Sequence, residues 1–227
     1  MNTRITKAFI ALLALVSVMS IMGFGPDACG MTLCAATFSP LLYQQGQNNM
    51  GGYQNWAVYI PLSIISSMPE LPGTQSDDDD YVVATGSFVF KTGEQPVFIY
   101  ATEETVKYSA ESAGERDGKS FEQKVEFFFP GNKKEAHALA TRIKNQPGII
   151  LIADSDGRQQ IIGSRFIPAY LSPSFDGGQK RADLRGLKFE GGAASNQSAV
   201  FLETPLIVDP LTGSVTYASD DEEEDED

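Results

Sequence analysis

The amino-acid sequence predicts a mainly β protein, built as an antiparallel β-sandwich or barrel with one short α-helix packed on one side. Short runs rich in Val, Phe, Tyr and Thr follow one another from Tyr81 onward, separated by Gly, Pro and charged turns. A single segment, after Pro130, has the hydrophobic period of an amphipathic helix. Glycine occurs 21 times and aromatic residues make up 10% of the 227 residues, which favours strands joined by many turns. We expect about ten strands and one helix.

The first thirty residues form an apolar leader that allows two interpretations. Arg4 and Lys7 precede the apolar run Ala8–Gly25, which is the layout of a secretory signal peptide or a membrane anchor. The sequence after this run lacks the small-residue box that ends in Cys in a lipoprotein signal. Met31 opens a stretch that is typical of the start of a soluble protein. Residues 1–30 are therefore either an export or anchor segment or the product of a start codon assigned too early.

Residues 31–80 show little periodic pattern and are predicted to form an N-terminal arm and a loop. Within them, Trp56–Ile65 is rich in strand-forming residues but contains Pro61, which predicts an edge strand or a bent one. The run Asp77–Asp80 indicates an exposed loop. The β-sandwich domain is expected to span residues 81–218.

The segment Phe121–Phe129 alternates as a half-buried strand does, with Phe121, Val125, Phe127 and Phe129 on one face and Glu122, Lys124, Glu126 and Phe128 on the other. The polar stretch before it, Ser109–Ser120, is predicted to be a long loop. Phe128 lies opposite the core face, so it is a candidate for contact with another subunit.

The strand is followed directly by the start of a helix, predicted at residues 132–145. Pro130-Gly131 ends the strand, Asn132 is a candidate N-cap, and Glu135 completes a capping box. Pro147-Gly148 stops the helix. Its apolar stripe consists of Ala136, Leu139, Ala140 and Ile143.

Two hairpins are predicted after the helix. Gly148–Ala153 is almost wholly apolar, which indicates a strand buried on both faces. Asp154–Gly157 is a hairpin turn that leads into a return strand. Asp209–Gly213 turns the chain into a last short hairpin.

The charge distribution argues against a nucleic-acid-binding surface. The net charge is −13, and the last eight residues, all acidic, contribute −8 of it. We expect residues 219–227 to be a disordered, solubilising tail, with a role in contacting a partner as the alternative. The main basic cluster is Lys180, Arg181, Arg185 and Lys188. It carries no interleaved aromatic residues, so salt bridges to an acidic neighbouring copy are favoured over nucleic acid.

Motifs for chemistry are lacking. His137 is the single histidine, and no nucleophile motif accompanies it. Asp154–Gly157 begins like a calcium loop but lacks the closing acidic ligand. Cys29 and Cys34 have neither metal-like nor redox-like spacing, and we interpret them as incidental. We therefore predict that the chain is not an enzyme, binds no metal or cofactor, and has no small-molecule substrate.

The order of elements from Lys119 to about Leu202 resembles a known family. Lys119–Ser164, KSFEQKVEFFFPGNKKEAHALATRIKNQPGIILIADSDGRQQIIGS, contains a polar loop, an E-Q-x-V-x-F strand, a helix, an apolar strand, a D-x-x-G hairpin and a G-S pair. The strand ADLRGLKFEG follows at Ala182–Gly191. This order is similar to that in virion structural proteins of phages that infect Bacteroidetes.

The resemblance implies a tail-tube-type subunit: a β-sandwich or barrel flanked by a helix, with six copies in a ring that conducts DNA. Such a protein would be made in the host cytoplasm and incorporated into the virion. Its partners would be copies of itself and other virion proteins. DNA would pass without specific binding, because an acidic lumen lacks the counterion-release affinity of basic surfaces. The arm Met31–Ser76 and the loop Lys107–Ser120 would link stacked rings.

We expect assembly by pairing of edge strands between copies. The candidate interface residues are Phe128, Lys180, Arg181, Arg185, Glu111 and Glu115. The alternative function is an exported or membrane-anchored bacterial β-sandwich that binds a ligand or partner, and the leader at residues 1–30 favours it.

Overall fold

The computed structural model describes residues 41–43, 45–46, 49–73 and 80–217. The leader at residues 1–30, residues 31–40 of the arm, Asp77–Asp79 and the acidic tail at residues 219–227 lie outside the described residues, so the predictions made for them stay predictions. The described residues from Leu42 onward belong to one structural unit. In this described part, no helix has the length and apolar character needed to cross a membrane.

The mainly β prediction is confirmed: the protein is a β-sandwich of antiparallel sheets with one short helix. The described strands are β1 (Tyr53–Pro61), β2 (Ile65–Ser67), β3 (Val83–Ala84), β4 (Val89–Phe90), β5 (Val97–Tyr100), β6 (Lys107–Ala113), β7 (Ser120–Pro130), β8 (Gly148–Asp154), β9 (Gln159–Ile162), β10 (Tyr170–Asp176), β11 (Gly186–Ser195), β12 (Phe201–Leu202), β13 (Leu206–Asp209) and β14 (Ser214–Tyr217). The described helix is α1 (Lys134–Ile143).

A six-stranded sheet has the order β3-β12-β9-β8-β1-β5. Of the two alternatives predicted around Pro61, the edge strand was wrong, because β1 pairs with β5 on one side and β8 on the other. The chain does bend at Pro61, where a 3-10 turn at Leu62–Ile64 separates β1 from β2. Pro61 is tolerated because it is the last residue of the strand, opposite Gly148. All of β1 lies in residues 31–80, which were predicted to be arm and loop, so the sandwich begins before residue 81.

A four-stranded antiparallel sheet has the order β10-β11-β7-β6. The predicted alternation of β7 is confirmed, since Val125 and Phe127 are buried on one face and Glu122 and Lys124 are exposed on the other. The predicted loop Ser109–Ser120 was wrong in its first half, which belongs to β6 and pairs with β7. Small and polar residues can form such a strand because a neighbouring strand supplies its hydrogen bonds.

The six-stranded sheet is buried on both faces. Ile150 and Ile152 of β8 face the four-stranded sheet, where Phe127 and Phe189 stack with ring centroids 5.1 Å apart. Ile149 and Leu151 face the opposite way, toward a second core that includes Val215 of β14. The predicted burial of β8 on both faces is thus confirmed. Each such side chain contributes roughly 1.5–3 kcal/mol by burial, which makes β8 the centre of the fold.

Helix α1 closes part of the core between the two sheets. Its buried residues are Ala136, Ala140 and Ile143, with Leu139 packed against them, so the predicted stripe is confirmed. The predicted capping box was wrong: the N-cap is Lys133, and no side chain caps the helix. The carbonyl oxygen of the Asn132 side chain instead contacts Nε2 of His137 at 2.8 Å. The Asn132 oxygen is therefore engaged by His137 and does not cap the helix, which begins at Lys134.

Both predicted hairpin turns are confirmed. Asp154 Oδ1 accepts hydrogen bonds from the amides of Asp156 and Arg158, and the turn joins β8 to β9. Asp209 in the same way accepts a bond from the amide of Leu211 and connects β13 to β14. Aspartate at the first turn position therefore supplies the acceptor that the turn's amides need.

Candidate interaction surfaces

Among the described residues no strand pairs with the outer side of β6, so this edge exposes backbone hydrogen-bonding groups. Phe128 of β7 directs its backbone toward the β6 side: its amide donates to Thr105 Oγ1, and its carbonyl accepts from the amide of Thr102. Because these directions alternate along antiparallel strands, the β6 residues opposite Glu126, Lys124 and Glu122 bond to β7. The remaining β6 residues, Tyr108, Ala110 and Ser112, direct their amides and carbonyls away from the sheet.

The opposite edge of the same sheet is β10. Ala169, just before this strand, exchanges both backbone hydrogen bonds with Gly148 rather than with β11. By the same alternation, Leu171, Pro173 and Phe175 direct their backbones away from β11. Leu171 is fully buried, so the accessible part of this edge is at Pro173 and Phe175. Pro173 has no amide hydrogen. At this position an amide would point away from the sheet, so the proline removes no hydrogen bond from the sheet, and an edge strand tolerates it there.

These two edges match in length and run in opposite directions. β6 and β10 have seven residues each. They are the first and last strands of a sheet with four antiparallel strands, so they run antiparallel to one another. Sequence reasoning did not identify this pair of edges. Pro173 inside a strand was the available signal, because proline in a regular strand indicates a sheet edge.

The outer face of the four-stranded sheet carries a ladder of charges. Glu126 and Glu190 lie directly opposite one another on β7 and β11. Lys188 relieves their repulsion, because its Nζ contacts both carboxylates, at 2.8 Å in the case of Glu126. The hydrogen bond from Lys188 lowers the pKa of Glu126, and those to Glu126 and Glu190 raise the pKa of Lys188. The positive charge of Lys188 is thus paired with carboxylates within the sheet, and Lys188 is not part of a free basic cluster.

The other three basic residues lie in the loop between β10 and β11. Lys180, Arg181 and Arg185 are exposed, and none forms an ion pair with another described residue. Asp183 organises the loop by accepting hydrogen bonds from the amides of Lys180 and Gln179, which lower its pKa. The loop therefore has a defined shape that presents three uncompensated positive charges.

The start of α1 adds two positive charges to this end of the sheet. The amide of Gly131 donates a 2.7 Å hydrogen bond to the carbonyl of Arg185, which holds the β7–α1 turn against the loop. Lys133 and Lys134 follow this turn directly and are exposed. Helix N-termini carry partial positive charge, so the same end of the sheet is favourable for anionic groups. We call these five residues the basic end: Lys133, Lys134, Lys180, Arg181 and Arg185.

The acidic candidates lie at the other end of the sheet. Glu111 is exposed on β6, opposite Glu122 near the start of β7. Glu115 is exposed in the turn between β6 and β7. The basic end adjoins the last residues of β7, about 25 Å away at roughly 3.3 Å per strand residue. The structure therefore does not bring the acidic and basic candidates together within one chain.

Phe128 is only partly available for contact with a partner. It is half-buried on the outer face of β7, opposite Lys188. A Cβ on Gly186 would come within 2.6 Å of the Phe128 ring, so this ring covers the glycine. The same Cβ would come within 2.2 Å of the Phe129 carbonyl oxygen, so glycine at position 186 allows both close approaches.

A shallow apolar groove of about 170 Å³ lies between α1 and β5. Its walls include Ile99, Phe129, Ala136 and Leu139. The Lys133 ammonium lies 5.8 Å from the centroid of the Phe129 ring, at one side of the groove. Glu135 also lines the groove, so Lys133 and Glu135 bring charges of both signs to it, and the groove suits a small apolar group.

The residues weighed for chemistry have structural partners. His137 contacts Asn132, and its ring meets that of Phe175 edge-on at 4.7 Å. The Asp154 carboxylate is engaged by its own turn and by Arg158. Among the described residues, no group of His, Cys, Asp and Glu side chains is arranged to hold a metal ion.

The chain was compared with known proteins. No protein-family model, no curated protein and no solved structure matches it significantly. The resemblance to virion proteins therefore rests on the order of motifs in the sequence alone, and the two sheet edges carry the argument about function.

Proposed function

We propose that this chain is a structural subunit that assembles head to tail with copies of itself, as a tail-tube-type phage virion protein does. The observation that carries the proposal is that the four-stranded sheet ends in two edge strands of opposite direction, β6 and β10, and that among the described residues no further strand pairs with either of them. A ring needs two different, mutually complementary surfaces on each subunit. An antiparallel sheet with an even number of strands offers them, because the next copy continues the same alternation.

Ring closure also explains how the exposed edges are protected. A free edge strand is a template for unwanted pairing with other chains. In a closed ring every β6 would be covered by the β10 of a neighbour, and the four-stranded sheet would keep no open edge. The resemblance to tail-tube proteins suggests six copies.

The charge of the chain supports a conduit for DNA. Its net charge is −13, and phosphate backbones are repelled by acidic surfaces. We propose that DNA passes such a ring without specific binding. The ring would be formed in the host cytoplasm and incorporated into a virion together with other virion proteins.

A second candidate function is that of an exported or membrane-anchored binding module. The apolar segment Ala8–Gly25 after Arg4 and Lys7 and the groove between α1 and β5 favour it. Fractionation of cells that express the full chain separates the candidates. Recovery in the soluble cytoplasmic fraction supports the virion subunit, and recovery in the membrane or the exported fraction supports the binding module.

Assembly through the β6 edge is tested with Ala110→Pro. The amide of Ala110 points away from β7, so proline removes a donor from the free edge without removing a bond inside the sheet. The control is Ala110→Ser, which keeps the amide. Both variants should melt within a few degrees of the parent protein.

Sedimentation velocity of the full chain over a wide range of concentrations provides the measurement. We expect the parent and Ala110→Ser to form the same oligomer, and Ala110→Pro to need at least about ten times more protein to do so, since about 1.4 kcal/mol of lost pairing has that effect. A parent chain that stays monomeric throughout the range would refute assembly. An oligomer that Ala110→Pro leaves intact would refute the role of β6.

A further inference from the structure

We propose that the acidic run Asp220–Asp227 of one copy binds the basic end of another copy. The proposal rests on the proposed self-assembly and names a second contact in it, one that does not involve the edges of β6 and β10. It follows from three observations: the charge of the basic end, the lack of partners for its cations, and the place where the described chain ends.

The basic end is a positively charged surface in an acidic chain. Its two segments, residues 131–135 and 177–185, also contain Glu135 and Asp183, which leave them a net charge of +3. The Asp183 carboxylate is already engaged by the amides of its own loop. The hydrogen bond from Gly131 to Arg185 holds the two segments together. The basic end is therefore complementary in charge to a dense group of carboxylates.

The cations of the basic end lack the carboxylate partners that other cations of the fold have. Lys124, Arg158 and Lys188 each form an ion pair with a nearby carboxylate. The five residues of the basic end form none with any described residue. The eight consecutive carboxylates of the acidic run are the longest stretch of like charge in the sequence, so they are the best match for this surface.

The acidic run is attached on the far side of the six-stranded sheet. Tyr217, the last described residue, lies opposite Leu206 in the pair of β13 and β14. Leu206 and Val215 belong to the second core, on the face of the six-stranded sheet that points away from the four-stranded sheet. Packed layers are about 10 Å apart, so about 20 Å separates this hairpin from the four-stranded sheet that carries the basic end.

The length of chain beyond Tyr217 favours contact with another copy. Only Ala218 and Ser219 lie between Tyr217 and Asp220. An extended chain covers about 3.3–3.6 Å per residue, so about six residues would be needed to span 20 Å. A return to the basic end of the same chain would therefore leave about half of the acidic run for contact. The basic end of a neighbouring copy can meet the whole run.

Cross-linking between isotope-labelled and unlabelled full chains tests the contact directly. The two forms are mixed at about 500 mM salt, which screens the charges, and are returned to about 50 mM. A carbodiimide then joins lysine amines to carboxylates that touch them. We expect links from Lys133, Lys134 or Lys180 to the acidic run, in pairs that combine a labelled and an unlabelled chain. The link between Lys188 and Glu126, which touch within one chain, should stay in matched pairs and is the control.

Partial neutralisation of the acidic run tests its contribution to self-association. The acidic-run variant is Glu222→Gln, Glu223→Gln, Glu224→Gln and Asp225→Asn. The matched control is Asp77→Asn, Asp78→Asn, Asp79→Asn and Asp80→Asn. At about 50 mM salt the acidic-run variant should need about ten times more protein to assemble, and the control no more than the parent. A lower net charge by itself reduces repulsion between copies, so it would change assembly in the opposite direction.

Combining the acidic-run variant with Lys180→Gln, Arg181→Gln and Arg185→Gln tests whether the two groups bind each other. Each set alone should weaken assembly about ten-fold, and the second set should add no more than about a factor of three, because both remove the same contact. Sedimentation velocity at about 50 mM salt measures these effects. Independent effects that multiply to about a hundred-fold would overturn the proposal.

Other results would also overturn it. Cross-links in matched isotope pairs alone would show that the acidic run binds its own chain. An absence of cross-links to the basic end in a chain that light scattering shows to be oligomeric would remove this contact, and the proposed function would stand. Binding of duplex DNA by the parent that the triple substitution abolishes would assign the basic end to phosphate groups. A parent that is monomeric at every concentration would refute both this contact and the proposed function.

Discussion

The amide of Gly131 donates a hydrogen bond to the carbonyl of Arg185 over 2.7 Å, and this bond joins the start of α1 to the basic loop. The two segments are more than fifty residues apart in sequence, yet both are positively charged. Their contact turns two short basic stretches into one basic end of the sheet. Pairing of β6 with β10 would place the basic ends of neighbouring copies at the same margin of the sheet. In a chain with a net charge of −13, this end is therefore suited to contact with acidic groups of a copy stacked on that margin.

The loop between β10 and β11, with Lys180, Arg181 and Arg185, should contribute to self-association in a salt-dependent way. We expect the triple substitution Lys180→Gln, Arg181→Gln and Arg185→Gln to weaken self-association about ten-fold at about 50 mM salt and hardly at all at about 500 mM, because exposed charges are screened. Sedimentation velocity at both salt concentrations measures the effect. The control is Arg116→Gln, Lys119→Gln and Lys144→Gln, which removes the same charge elsewhere. An equal effect of the control would assign the loss to net charge alone.

Adjacent phenylalanines of β7 should have different roles. Phe127 is fully buried and stacks on Phe189, whereas Phe128 is half-buried on the outer face. We expect Phe127→Ala to lower the free energy of unfolding by about 3–5 kcal/mol. Phe128→Ala should lower the free energy of unfolding by less than half of that amount, and it should also weaken self-association. Urea unfolding measures the free energy of unfolding, and sedimentation velocity measures self-association. Equal stability losses would contradict the assignment of the two faces.

Two threonines before β6 should respond oppositely to replacement by valine. The Thr102 hydroxyl is buried and has no hydrogen-bond partner among the described residues, so Thr102→Val should stabilise the fold by about 1 kcal/mol. The Thr105 hydroxyl donates to the Thr102 carbonyl over 2.6 Å and accepts a bond from the amide of Phe128. Thr105→Val should therefore destabilise the fold by about 1–2 kcal/mol. Urea unfolding of both variants is the measurement, and changes of the same sign would contradict this account.

Tyr59 should contribute a loss of stability at high pH. Burial raises the pKa of its phenol to about 12, and its hydroxyl donates a 2.7 Å hydrogen bond to the carbonyl of Gln146. The folded-state pKa is above the unfolded value of 10, so the contribution is fully present below pH 10 and is lost as the pH rises through 12. At pH 8 the parent should melt at a higher temperature than Tyr59→Phe, because the variant lacks the hydrogen bond.

Melting curves of both proteins at several pH values between 8 and 12 provide the measurement. The difference in melting temperature should shrink steadily above pH 10, since only the parent has a phenol to ionise at this position. Other tyrosines and lysines titrate in both proteins, so they cancel in the comparison. A difference that stays constant across the range would show that Tyr59 is not the buried group described.

The sequence predicted the elements whose patterns are local. β7 alternates because one face meets the core, β8 is apolar because both faces are covered, and α1 carries a stripe at helical spacing. The hairpin turn at Asp154–Gly157 could also be predicted, since the turn itself favours aspartate and glycine. These features need no knowledge of distant residues, which is why sequence patterns suffice for them.

The rest depended on contacts between distant segments. β6 contains small and polar residues, and it is a strand because β7 hydrogen-bonds to it. The Asn132 cap was wrong because His137 competes for the same oxygen. β1 was placed at an edge because Pro61 argued for one, whereas the proline only ends the strand. The two complementary edges likewise follow from strand order, which a single sequence does not encode locally.

The central claim is that copies of this chain close into a ring by head-to-tail pairing of β6 and β10. Negative-stain electron microscopy of the purified chain beginning at Met31, after light scattering has given its mass, tests this most directly. We predict closed rings, since a heterologous interface that closes gives cyclic symmetry. The resemblance to tail-tube proteins suggests six-fold averages and a mass of about six chains. Monomeric particles over a wide range of concentrations, or two-fold dimers alone, would contradict the claim.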